Sequence, residues 1–171
     1  MPDNKILEID DRWSQKLRIA ERPGVLRVLA AIFAHSGDSW FCIIALAIVW
    51  WQGDQHWKDW SLDMLVAILV TAALVMTLKL VFRRQRPEGR WGGIYRTADP
   101  NSFPSGHAAR VALMAVLITA WGPSWLAPIA IVWALLVALA RVAMGVHYIS
   151  DVTVGMLLGT MMSVFAVTFL R

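Results

Sequence analysis

Three short stretches of this 171-residue chain combine residue types that bind and attack an anion. "KLVFRRQRP" runs from Lys79 to Pro87, "PSGH" from Pro104 to His107, and "RVAMGVHYISD" from Arg141 to Asp151. Lys79, Arg86 and Arg141 come from separate segments, and cations gathered from three places suit a tetrahedral dianion. Guanidinium groups grip its oxygens with paired hydrogen bonds while neutralising its charge. Ser105 and Gly106 stand where Pro-Ser opens a helix, whose unpaired N–H groups and positive end also favour phosphate. Gly106 further lets the backbone approach an oxyanion closely. Together these residues read as a phosphate-binding set.

Two histidines supply a reaction. His147 and Asp151 are four apart at the start of an apolar run, so on a helix they share a face. The carboxylate can accept from one ring nitrogen and leave the other deprotonated toward a phosphorus atom, a nucleophile with its orienting group. His107, from a different segment, can protonate the departing oxygen from the opposite side, as in-line displacement requires. Each cluster also has an ordinary reading when taken singly. Lys79 near a helix end can snorkel, arginines beside a span can mark topology, "PSG" can simply start a helix, and a membrane histidine can be a packing residue. Their chemical complementarity favours the site.

The elements that must position these residues are membrane helices. The chain is 58% hydrophobic with ten tryptophans, and its mean hydropathy is +0.56, far above an ordinary soluble domain. Five apolar segments are expected to span: residues 40–51, 61–82, 105–121, 124–143 and 148–170. Trp40, Trp50 and Trp51 are candidate interfacial anchors for the first and shortest. Residues 1–38 mix charges with apolar positions at helical spacing and are expected to form amphipathic helices lying at the membrane surface without crossing it. Pro23 and Gly24 divide that region, and "HSGDS" at 35–39 reads as a turn in which Asp38 or Ser39 caps the next helix. The fold class is therefore all-α: a polytopic bundle of about five spans plus N-terminal interfacial helices, in a single domain over 1–171 with its core at 39–171. The charged first twenty residues offer no signal-peptide core, and the single Cys42 has no partner for an intrachain disulfide. Alternating the spans across a bilayer brings residues 83–104 and 144–147 to the same side, which gathers all three clusters at one face.

The three clusters resemble the signature motifs of the type 2 phosphatidic acid phosphatase superfamily. That pattern is Lys, six residues, Arg-Pro; Pro-Ser-Gly-His; then Ser-Arg, five residues, His, three residues, Asp. Here Lys79, Arg86 and Pro87, then Pro104 to His107, then Arg141, His147 and Asp151 match within residues 79–151. The resemblance implies that Lys79, Arg86, Ser105, Gly106 and Arg141 bind phosphate, that His147 forms a phosphohistidine oriented by Asp151, and that His107 is the general acid that then activates water. It implies no metal and no cofactor. Ala140 stands where the family usually has serine, which removes one possible hydroxyl donor to phosphate, lowering affinity while the core machinery survives. The chain also has one span fewer than six-helix members.

Other functions fit less well. His107, His147 and Asp151 could ligate a metal, but three nearby cations repel a divalent ion. A vanadate-dependent peroxidase uses a similar anion pocket, but in the family those enzymes are soluble. A transporter scatters its charges at midspan, whereas these cluster at helix ends, and a nonenzymatic lipid-phosphate binder has no need of both histidines. The basic residues border apolar runs rather than a soluble aromatic platform, so no nucleic-acid partner is expected. The partners expected are membrane lipids and a lipid phosphate: a polyprenyl monophosphate or diphosphate, phosphatidic acid or phosphatidylglycerophosphate. Trp91, Tyr95 and Phe103 lie in or beside the loop the headgroup would enter, and Arg83, Arg84, Arg90, Arg96 and Arg110 are more cationic than one monophosphate requires, a slight tilt toward a diphosphate. Fourteen of the 16 Lys and Arg residues fall on the active-site side, leaving Lys58 and Arg171 opposite. The positive-inside rule then gives a multi-pass protein of the cell membrane with a cytosolic site, whereas many bacterial membrane relatives face outward.

Overall fold

A computed structural model describes residues 5–88 and 99–170. Seven helices account for most of them: α1 (Lys5–Leu17), α2 (Val25–Ser36), α3 (Ser39–Gln52), α4 (Gln55–Phe82), α5 (Gly106–Trp121), α6 (Leu126–Ala143) and α7 (Ile149–Leu170). The only β pairing among the described residues is an isolated bridge between Gln85 and Asn101. In hydrocarbon an unpaired backbone group has no water to turn to, so the apolar runs close their own hydrogen bonds as helices. α4, α6 and α7 are long and apolar enough to cross a membrane.

The first crossing differs from expectation. Residues 25–36 do not lie apart at the surface: α2 and α3 form an apolar pair bent by 59° that together meets the length and composition of a span. α2 supplies the length that 40–51 lacks. It packs on α6 through Ala30, Ala31, Phe33 and Ala34 against Ala140, Met144 and Val146. The break at Gly37 and Asp38 is held inside the protein, where Arg110 donates to the Gly37 carbonyl at 2.8 Å and Trp133 Nε1 donates to Ser36 Oγ at 3.0 Å.

α5, at 16 residues, is shorter than its neighbours and sits at the centre of the bundle. Ala108, Val111, Ala112, Leu113, Ala115 and Leu117 are buried around its whole circumference, whereas α3, α4, α6 and α7 expose large apolar side chains such as Ile44, Leu69, Leu139 and Phe165, as helices facing lipid do. α5 packs most closely on α7. A Cβ placed on Gly155 would lie 2.5 Å from the Ser105 carbonyl oxygen, and one on Gly159 would lie 2.0 Å from that of Ala109. Only glycines spaced four apart let the two backbones meet there, and the contact sets "PSGH" against the start of α7.

α1 is amphipathic, as the sequence leads one to expect, and turns its polar side toward the bundle. Ser14 Oγ accepts from the Ile149 amide at 2.9 Å and Asp10 accepts from the Ser150 amide at 3.1 Å, while Leu7, Ile9, Trp13 and Leu17 are exposed. Such a helix presents apolar side chains to the membrane interface and hydrogen-bonding groups to its own protein.

Candidate active site

The end of α4, the residues after it, the start of α5, the end of α6 and the connection into α7 meet at one end of the bundle. Asp54 caps α4 at the far end by accepting from the Trp57 amide at 3.2 Å. Arg83, in the left-handed region at φ 47°, ends the helix just beyond Lys79. The chain from Arg84 to Gln85 then pairs with Asn101 and Ser102, with Ser102 donating from its amide to the Arg84 carbonyl at 2.7 Å. This places Arg86 beside Lys79.

A cavity of about 370 Å³ opens at this point, lined by Lys79, Arg86, Gly106, His107, Arg141 and His147 together with Arg110, Asp99 and Ser39. Its wall is a strip of α4, with Ile68, Thr71, Ala72, Val75 and Met76 running down from Lys79. Lys79, Arg86, Arg141 and His147 are buried within the protein. A single pocket thus brings together all three expected cations and both histidines. In it Asp99 meets the cations: its carboxylate accepts from Lys79 Nζ and from Arg86, each at 2.7 Å, and its carbonyl oxygen accepts from Arg86 Nε at 2.7 Å. The sequence reading had no role for Asp99.

His147 has a defined tautomer. A guanidinium can only donate, so the Arg86 contact at 3.1 Å makes Nε2 the unprotonated nitrogen and leaves the proton on Nδ1. Burial, followed by the positive charges of Arg141, Arg86 and Lys79, pushes the imidazole's proton affinity well below its ordinary value. A neutral ring with its lone pair toward the cations of the pocket can act as a nucleophile. Nδ1 lies 3.4 Å from Asp151, with His147 1% and Asp151 0% exposed, but it makes no hydrogen bond. Contacts of this kind are commonly long before substrate binds and tighten with it. The carboxylate also accepts from the Tyr148 amide at 3.0 Å, from Arg84 at 2.9 Å and from the Ser102 side chain.

Arg84 is a residue the sequence reading treated only as excess charge. It bridges Asp151 to Asp10 of α1, the latter at 2.7 Å, and lies 3.9 Å over the Tyr148 ring. Although burial opposes it, hydrogen bonds from Ser150 and Arg84 hold the Asp10 carboxyl below its ordinary range. Arg83 donates to the Leu80 carbonyl at the helix end, and Arg110 holds the break beside α3. Three of the five arginines that favoured a diphosphate therefore have structural work. Arg90, Trp91, Tyr95 and Arg96 fall outside the described residues; Phe103 stacks edge-on against Phe82 at 5.0 Å.

Two expected phosphate ligands sit differently from one another. Gly106 lines the cavity, and the nearest atom a Cβ there would meet is Val75 Cγ1 at 3.5 Å. Ser105 is behind it: its amide donates to the Asp151 carbonyl at 3.0 Å, and its Oγ accepts from the Ala108 amide at 3.4 Å as the cap of α5. Ser105 therefore ties the second cluster to the third. Ala140, where the family usually has serine, is not among the residues lining the cavity but packs against α2 beside Ala34. Asp38 occupies the cap position of α3 yet makes no side-chain cap bond. Its carboxylate instead accepts from His107 Nε2 at 2.6 Å. No group of His, Cys, Asp and Glu among the described residues is arranged to hold a metal ion.

Residues 60–171 match the family model of the PAP2 superfamily. The chain belongs to the PAP2 superfamily. Its PAP2 relatives include decaprenylphosphoryl-5-phosphoribose phosphatase of Mycobacterium tuberculosis, 31% identical over 82% of this chain and 78% of the relative. They also include undecaprenyl-diphosphatase of Sulfolobus acidocaldarius, 29% identical over 75% of this chain and 62% of the relative. A transmembrane PAP2-type phosphatidylglycerolphosphate phosphatase of Bacillus subtilis superposes with a TM-score of 0.79 at 25% identity, covering 98% of this chain and 87% of that one. Aquifex aeolicus LpxE shares the fold, with a TM-score of 0.74 at 24% identity over 92% of this chain and 94% of its own. The all-helical bundle and the pocket at its end thus belong to a PAP2-type membrane phosphatase.

Proposed function

We propose that the chain removes phosphate from a lipid headgroup through a phosphohistidine on His147, without a metal ion. The observation that carries this reading is the pairing of the unprotonated His147 Nε2 with Arg86 at 3.1 Å in a cavity that Lys79 and Arg141 also line. A phosphoryl group bound to those cations places phosphorus at the histidine lone pair. His147 Nε2 attacks, the P–O bond breaks, and the leaving oxygen takes a proton from His107. Water then attacks phosphorus as His107 takes its proton, and the N–P bond electrons return to the imidazole. Asp151 orients the ring and balances its charge while it carries phosphate. Lys79, Arg86 and Arg141, with the Gly106 amide, hold the transferring oxygens.

The apolar strip of α4 below Lys79 supports a substrate with a hydrocarbon tail, since the headgroup can sit among the cations while the chain follows Val75, Ala72 and Ile68. Polyprenyl monophosphates and diphosphates, phosphatidic acid and phosphatidylglycerophosphate all have this form. The names of the relatives support this class. α1, with Lys5, Arg12 and Lys16, lies on the catalytic side and Lys58 lies in the far turn of α4, a distribution that supports a cytosolic active site. A reporter fused after Arg171 tests this: activity confined to an extracytoplasmic reporter is expected, and activity confined to a cytosolic one reverses it.

The function is tested by phosphate release from detergent-purified protein in EDTA, using polyprenyl diphosphate, phosphatidic acid and phosphatidylglycerophosphate beside a His147→Ala control. Release that persists in EDTA and disappears in the control is expected. Release unaffected by the substitution would remove His147 from the reaction.

A further inference from the structure

Each histidine in the cavity is paired with a carboxylate, but only one of the pairs is visible in the sequence. Asp151 lies four residues from His147, whereas Asp38 lies 69 residues from His107 and reaches it from the break between α2 and α3. We propose that Asp38 is the positioning residue of the general acid, fixing the His107 ring and stabilising its protonated form. This rests on the assignment of His107 as the acid in the preceding section.

Several features of the break serve that contact. A residue at the start of α3 would ordinarily turn its carboxylate to the helix amides; Asp38 forgoes that bond and accepts instead from His107 Nε2 at 2.6 Å and from His35 Nδ1 at 3.2 Å. An ionised carboxylate only accepts, so the His107 proton at Nε2 is fixed there and Nδ1 is the nitrogen left for substrate. Gly37 holds the break against the ring: a Cβ at that position would meet Val137 Cγ1 at 3.0 Å, Val111 Cγ1 at 3.1 Å and His107 Cδ2 at 3.7 Å. Arg110, one turn along α5 from His107, fixes the same loop through the Gly37 carbonyl. Arg110 from the same helix and Arg141 from α6 line the same cavity, and Asp38, coming from the break, is the anion in contact with the ring. When His107 delivers its proton to the leaving oxygen the imidazolium becomes neutral, and when water attacks the charge returns; Asp38 offsets it in both half-reactions.

A general acid matters for a poor leaving group and hardly at all for a good one. The test compares single-turnover alcohol release from a long-chain alkyl phosphate with that from a nitrophenyl phosphate bearing the same tail, in wild type, Asp38→Asn and His147→Ala. Asp38→Asn is expected to slow the alkyl ester on the order of a hundredfold, within the range attributed to a positioned acid, with little change in KM and less than about a threefold loss on the aryl ester. Asp38→Glu keeps the carboxylate and is expected to give an intermediate alkyl rate with the aryl rate intact, a comparison that stands alone should the Asn chain fail to fold. Equal losses on both esters, or no loss on the alkyl ester, would overturn the inference. His147→Ala should abolish both reactions; if it does not, the phosphohistidine reading itself fails, which a null result at Asp38 alone would not imply.

Discussion

Replacing Asp151 with Asn keeps the shape of a side chain that is 0% exposed while removing its charge. The amide oxygen can still accept from the Tyr148 amide, now 3.0 Å from Oδ2, so the turn into α7 is preserved. The ion pair with Arg84 at 2.9 Å is lost, but Arg84 retains Asp10. The larger change falls on the intermediate. Once Nε2 bonds to phosphorus the imidazole becomes cationic in a pocket already lined by four cations, and the Asp151 carboxylate is the adjacent anion. Charges separated by the 3.4 Å of the His147–Asp151 contact interact by about 5 kcal/mol at an effective dielectric of 20, and that figure is an upper limit because the ring charge is spread over five atoms and Arg84 offsets part of the carboxylate. Retaining about a third to four-fifths of it, roughly 1.4–4 kcal/mol, corresponds to a rate loss of about ten- to a thousandfold. Rapid-mixing kinetics on the purified variant, with thermal unfolding and a monodisperse elution profile as controls for folding, should show slowed phosphoenzyme formation with KM little changed. Turnover equal to wild type in a folded variant would refute the role given to Asp151.

Gly159→Ala should lower the unfolding temperature and activity together, because its Cβ would lie 2.0 Å from the Ala109 carbonyl oxygen; Gly106→Ala, whose Cβ meets only Val75 at 3.5 Å, should unfold as wild type does while inhibition by inorganic phosphate weakens severalfold. Asp99→Asn removes the carboxylate that occupies Lys79 and Arg86, and inhibition by inorganic phosphate should tighten severalfold, read from the inhibition constant. His147 is neutral in the fold but takes up a proton when unfolded, so its contribution to stability is intact above its unfolded value near pH 6.5 and is lost as pH falls below it, by at most about 1.4 kcal/mol per pH unit. Chemical denaturation of wild type against His147→Gln across that range should show the shallower acid decline in the variant.

Much of the candidate site was readable because the PAP2 motifs are short local patterns. Lys79 with Arg86, and His147 with Asp151, are each spaced so that one helix end or one turn brings them together, and alternation of apolar runs then places the clusters at one face. What could not be read depends on partners distant in sequence. Asp38 looks like a helix cap because its actual partner, His107, is 69 residues away. Arg84 looks like one topology charge among several because Asp10 and Asp151 reach it from opposite ends of the chain. α2 reads as a surface helix because Arg27 and His35 interrupt its apolar face, whereas in the fold its small residues meet Ala140 and Met144 of the α6 end. That same contact holds Ala140, where the family pattern has serine, away from the pocket lining. The glycine pair on α7 was available as a spacing of four in an otherwise bulky apolar run, a signal of close helix packing.

The most direct test of the account is chemical trapping of the intermediate. Rapid quenching of wild type with a lipid phosphate labelled in its phosphoryl group should yield covalently labelled protein, stable to base and labile to acid as a phosphohistidine is, and His147→Ala should yield none. Label retained by His147→Ala, or a wild type that turns over without ever becoming labelled, would contradict it.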